Sequence, residues 1–210
     1  MIKSILAFGD SNTWGLIPGS KEKERYPWDK RWTGILQEKC NNVHVIEEGL
    51  CGRTSAFEDA LRYGRSALAI LPALLESHYP LDAAIIMLGT NDCKSVYKHT
   101  PEDIAKGVGK CLDEVLKYLE PHNVLLISPI HLGEDVYRED KDPEFDKESV
   151  ITSRKLKDVY KKLAKEKGTA HLAASDYVSA NSKDDEHLDD KGHRILAEAI
   201  YDKLIDMKVI

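Results

Sequence analysis

The sequence predicts an α/β protein built on one parallel sheet of five strands. Three observations lead there. Short runs rich in Ile, Val and Leu alternate with longer segments of helical period, the pattern of strands joined by crossover helices. The chain has 210 residues, close to the size of one domain, so residues 1–210 are read as a single unit. Hydrophobic residues make up 42% and charged residues 31%, enough to fill a core and cover a surface, which excludes wholesale disorder.

The predicted strands are Ile2 to Phe8, Val43 to Glu48, Ala83 to Leu88, Val124 to Ser128 and Thr169 to Ala173. Apolar residues at helical spacing mark helices over Arg31 to Cys40, Ser66 to His78, Pro101 to Leu119, Ser149 to Lys167 and Asp190 to Met207. Thr100-Pro101-Glu102-Asp103 is a strong helix start: Thr caps, Pro suits the first helical position and two acids complement the dipole. Ile195, Ala199, Ile200 and Leu204 form a stripe that packs the last helix onto the sheet. Glu134 to Glu148 holds eight acids and three basic residues around Pro143. It is read as a loop, either a solvated excursion or a wall of an active-site mouth or subunit contact.

A net charge of -6 and no basic cluster interleaved with aromatics argue against nucleic acid as a partner. No apolar stretch approaches the roughly 20 residues of a membrane-spanning helix. The run before Gly9-Asp10 is too short for the core of a secretory signal. Cys40, Cys51, Cys93 and Cys111 are far apart and are read as reduced thiols, so a cytoplasmic protein is expected.

In an open parallel sheet, ligands bind beyond the carboxyl ends of the strands, so chemistry is sought in the residues that follow them. After the first strand, glycines in Gly9-Asp10-Ser11-Asn12-Thr13-Trp14-Gly15 let the chain turn sharply and present the Ser11 hydroxyl. Such a turn also suits a helix cap or a phosphate cradle. After the second strand, Gly52 brings a bare backbone N–H close to a ligand. After the third, Asn91 offers an amide donor to the same crevice, or simply forms a turn.

Ahead of the last helix, Asp184 stands three residues before His187, near enough to reach Nδ1 and leave Nε2 facing outward as a base. His193 is expected to be solvated or bonded locally. A serine hydroxyl is a weak nucleophile that needs an adjacent base, so Ser11 and His187 are read together. The N–H groups of Ser11 and Gly52 and the Asn91 amide would surround a developing oxyanion.

Gly9-Asp10-Ser11, Gly52, Gly89-x-Asn91-Asp92 and Asp184-x-x-His187-Leu188 resemble the four blocks of the SGNH, or GDSL, hydrolase family. Asn12 stands where the leucine of the GDSL name would be. The resemblance covers the whole chain and implies a three-layer α/β/α fold of flavodoxin-like topology, hydrolysing small-molecule esters through a Ser-His-Asp triad without metal or cofactor. By that likeness Ser11 is the nucleophile, His187 the base, Asp184 its partner, and Gly52 and Asn91 oxyanion donors. Arg31-Trp32-Thr33-Gly34 and Val45-Ile46-Glu47-Glu48-Gly49-Leu50 look like the arylesterase and acyltransferase branch, whose members are often homo-oligomers.

Two rival readings stand beside it. One is a non-catalytic flavodoxin-like module whose Ser11, Asn12 and Thr13 hold a phosphate or nucleotide. The other is a metal-dependent hydrolase using Asp184, Asp185, Glu186, His187, Asp189 and Asp190, although such acids also support a helix N-terminus. Trp32 is assigned to the core and Trp14 to a pocket lining or interface.

Overall fold

The computed structural model describes residues 2–210. Five strands, β1 (Lys3–Gly9), β2 (Val43–Gly49), β3 (Ala83–Met87), β4 (Val124–Ser128) and β5 (Ala170–Ala173), form one sheet in the order β2-β1-β3-β4-β5. Every pairing is parallel. The helices are α1 (Ser11–Trp14), α2 (Trp32–Lys39), α3 (Ala67–Ser77), α4 (Pro101–Val115), α5 (Lys147–Lys167) and α6 (Asp190–Asp206). The expected strands are all present, their ends within one residue of the sequence reading.

The side chains of β1 show why the sheet is covered on both faces. Leu6 and Phe8 join the core beneath α3, α4 and α5, with Leu71, Ile104, Leu156 and Tyr160. Ile5 and Ala7 point the other way, into a second core with Trp32 and Leu36 of α2 and Leu196 and Ile200 of α6. All four β1 residues are fully buried, and a buried Leu, Ile or Phe contributes about 1.5–3 kcal/mol. The result is the expected three-layer α/β/α sandwich, with Trp32 in its core.

Helix ends follow local chemistry. Thr100 and Asp103 close a capping box with Pro101 at the first position of α4. The body of α4 stops at Val115, short of the expected Leu119, because the chain turns there and Lys117 N–H bonds back to Glu114. α5 starts at Lys147, two residues before the expected Ser149, because Asp146 is the cap and Ser149 supplies the reciprocal bond.

The charged stretch from Glu134 to Glu148 is a loop until α5 begins, yet it is folded down onto the protein. Its Val136 and Phe145 are buried in the core, and its Lys141 pairs with Asp185, beside the loop that carries His187.

The strand order reverses between β1 and β3, which flank one another although β2 intervenes in sequence. That switch point lies at the carboxyl ends of β1 and β3, where ligands bind in sheets of this kind, and Ser11 and Asn91 follow those strands.

Candidate active site

Ser11 opens the single turn α1, which the sequence showed only as a bend. Asp10 caps it by accepting from the Asn12 N–H at 3.0 Å. The Ser11 hydroxyl lies 2.9 Å from His187 Nε2, a residue 176 positions away in sequence. His187 Nδ1 lies 2.9 Å from Asp184 Oδ2. With His187 neutral, Ser11 O–H donates to Nε2 while Nδ1–H donates to the carboxylate, so one proton path runs through three side chains.

The loop that carries His187 is built around Asp184. Its Oδ1 accepts the backbone N–H groups of Glu186 and His187, each at 3.0 Å, and its Oδ2 also accepts the Gly19 N–H at 2.8 Å. Burial opposes ionisation of Asp184, but the His187 hydrogen bond and charge, with these backbone donors, hold its carboxyl at about 2.

Asn12 ties this loop to the Ser11 turn. Its Nδ2 donates to the Glu186 carbonyl at 3.2 Å, and its Oδ1 accepts from the Leu188 N–H at 2.9 Å. The amide therefore brackets His187 on both sides, a positioning role invisible when Asn12 is seen only as a departure from a motif.

Glu186 is a second residue that sequence reasoning left among solvated or helix-supporting acids. It is 5% exposed, and its Oε1 stands 3.7 Å from His187 Nε2. Burial pushes its carboxyl up to about 7. Burial alone would disfavour the His187 imidazolium, yet the charges of Glu186 and Asp184 and the Asp184 hydrogen bond raise its pKa to about 9.

Gly52 and Asn91 are brought to the same turn through Arg53. The Arg53 guanidinium is buried over the Phe8 ring, 4.1 Å from its centroid, and donates to the Gly9 carbonyl at 2.8 Å. Asn91 Nδ2 donates to the Arg53 carbonyl at 3.2 Å. Gly52 itself sits at φ +79, a left-handed conformation that favours glycine. Among the described residues, the N–H groups of Ser11 and Gly52 donate to no other protein group. Asp92 is consumed structurally, accepting the Ser55 N–H at 2.9 Å deep in the core.

The structure corrects the expectation for His193. It is fully buried, and its Nδ1 accepts the Trp32 N–H at 3.4 Å, far from it in sequence. Its ring meets Tyr26 edge-on at 5.4 Å, and burial lowers its pKa to about 4.

The acids of the metal-site reading have separate occupations: Asp184 bonds His187, Asp185 pairs with Lys141, and Asp189 caps α6. Trp14 is half-buried beneath Arg25, whose guanidinium lies 5.0 Å from the ring. A second serine–histidine contact joins Ser128 Oγ and His171 Nε2 at 3.3 Å. There burial lowers the His171 pKa to about 4, and among the described residues no carboxylate orients the ring.

Residues 7–195 match the model of the GDSL-like lipase/acylhydrolase family. The fold is similar to that of Est24, a carbohydrate acetylesterase from Sinorhizobium meliloti, with 36% identity over 98% of this chain and 99% of that one, at a TM-score of 0.87. It is similar to the M. smegmatis aryl esterase, with 32% identity over 98% and 99% of the two chains and a TM-score of 0.86. A carbohydrate acetylesterase family member from S. meliloti aligns over 100% of both chains at 27% identity and a TM-score of 0.86. No curated protein sequence matches the chain. The phosphate-cradle reading of the first turn gains no support, since the Ser11 hydroxyl is engaged by His187. With the family match spanning nearly its whole length, the chain belongs to the GDSL-like lipase/acylhydrolase family.

Proposed function

We propose that residues 1–210 form one catalytic domain, a serine esterase that cleaves carboxylic esters through an acyl-Ser11 intermediate. The observation that carries this reading is the chain of two 2.9 Å contacts from Asp184 through His187 to Ser11. His187 Nε2 takes the Ser11 proton as Oγ attacks the ester carbonyl, and returns it to the departing alcohol. Asp184 holds the ring and stabilises the imidazolium. The N–H groups of Ser11 and Gly52 and the Asn91 amide receive the oxyanion, where one such donor is worth about 100-fold to 1,000-fold in turnover. Water, or an alcohol, then releases the acyl group.

The aryl esterase and carbohydrate acetylesterases among its structural neighbours support small acyl groups on phenols or sugars as the substrate class. All four cysteines are free, which supports a cytoplasmic setting. Among the described residues no helix is long and apolar enough to cross a membrane. Leu61 and Tyr63, 87% and 95% exposed, support contact between copies of the chain.

The test is hydrolysis of p-nitrophenyl esters of increasing acyl length by wild type and Ser11→Ala. Activity should fall to background in Ser11→Ala while its circular dichroism is unchanged. Undiminished turnover would reject Ser11 as nucleophile.

A further inference from the structure

The Glu186 carboxylate accepts no hydrogen bond from the described residues, and its side chain is only 6% exposed. Neither carboxylate oxygen of Glu186 is among the fully buried atoms that lack a partner, so both still touch solvent, where an acceptor O–H reaches them. Its backbone is fixed, the N–H bonded to Asp184 and the carbonyl to Asn12. The ammonium that acts on it, Lys94, is itself buried and paired with Glu144 at 2.5 Å. Asp142 and Asp184 add only like charge around it. What Glu186 does face is His187 Nε2, 3.7 Å away, the same nitrogen that meets Ser11. At a 3.7 Å separation, one oxygen can stand at an ordinary hydrogen-bond distance of about 2.8 Å from both atoms, to one side of the line joining them.

Resting on the acyl-serine reading above, we propose that Glu186 binds the acyl acceptor and selects acceptors that carry a second O–H, namely water and polyols, over monohydric alcohols. In deacylation the acceptor's first O–H proton passes to His187 Nε2 as its oxygen bonds to the acyl carbon. The tetrahedral intermediate then expels Ser11 Oγ, which takes the proton from His187. The attacking O–H is thus spent on the base. Only a second O–H, on water itself or on the neighbouring carbon of a diol, is free to donate to Glu186 while the bond forms. A simple alcohol has none and leaves the carboxylate without a donor. Its pKa of about 7 keeps Glu186 mostly ionised, and so a full acceptor, at pH 8.

The test supplies p-nitrophenyl acetate at pH 8 with equal concentrations of ethylene glycol and 1-propanol, which are nearly isosteric. Acetic acid, glycol monoacetate and propyl acetate are then quantified. All acceptors are deprotonated by the same His187, so altered basicity or a smaller folded fraction cancels in the product ratios. A hydrogen bond to a charged group is worth about tenfold or more. In Glu186→Leu the ratios of acetic acid and of glycol monoacetate to propyl acetate should both fall at least about tenfold, with Glu186→Gln between. Unchanged ratios in Glu186→Leu, including absence of the propyl ester from both enzymes, would overturn the proposal. A different result, no products from wild type or equal turnover by Ser11→Ala, would instead overturn the serine esterase reading beneath it.

Discussion

Glu186 Oε1 stands 3.7 Å from His187 Nε2 while Asp184 Oδ2 holds Nδ1 at 2.9 Å, so the imidazole lies between two carboxylates. Burial works against its protonation, but these negative neighbours outweigh it and raise its pKa to about 9. The base must be neutral to accept the Ser11 proton, so kcat/KM should climb with pH and level off only above about 9. Glu186→Gln removes one raising charge, and the rising limb should move to lower pH. The check is kcat/KM for p-nitrophenyl acetate from pH 6 to 10, and a limb at the same pH in both enzymes would contradict this assignment.

Asn12 spans the two loops with bonds to Glu186 and Leu188 on either side of His187. Asn12→Leu restores the residue of the GDSL name yet removes both bonds and leaves the Leu188 N–H without its acceptor. Each lost bond costs about 1 kcal/mol, and the Ser11–His187 alignment loosens. Turnover should fall about tenfold or more with a lower melting temperature. Equal kcat in the variant would show that the amide brace is dispensable.

Gly89 has φ +123, and a Cβ there would sit 2.3 Å from the Tyr160 hydroxyl, which donates to the Leu88 carbonyl at 2.9 Å. Gly89→Ala should therefore destabilise the fold by about 1–3 kcal/mol. Removing the hydroxyl relieves the clash but not the backbone strain, so the double variant with Tyr160→Phe should recover part of the loss. Urea unfolding of the four proteins gives the coupling, and strict additivity would contradict the clash.

Much of the architecture was legible because its causes are local. Apolar runs marked the strands, and Thr100 to Asp103 announced α4. Ser11, Asn91 and His187 stood out because each follows a strand or precedes a helix at the binding edge. What escaped notice depends on partners far away in sequence. His193 looks like a surface residue until Tyr26 and Trp32 close over it. Val136 and Phe145 are hidden among acids until the core takes them in. Glu186 sits in an acidic run whose members face different ways, and only the fold shows that, besides Asp184, it too faces His187, at Nε2.

The most direct measurement is mass mapping after a fluorophosphonate, which labels an activated serine. Wild type should carry one adduct, on Ser11, lose hydrolysis in step with labelling, and show none in Ser11→Ala or His187→Ala. An adduct on Ser128, which lies beside His171, or an unlabelled wild type that still hydrolyses esters, would contradict the assignment of Ser11 and His187.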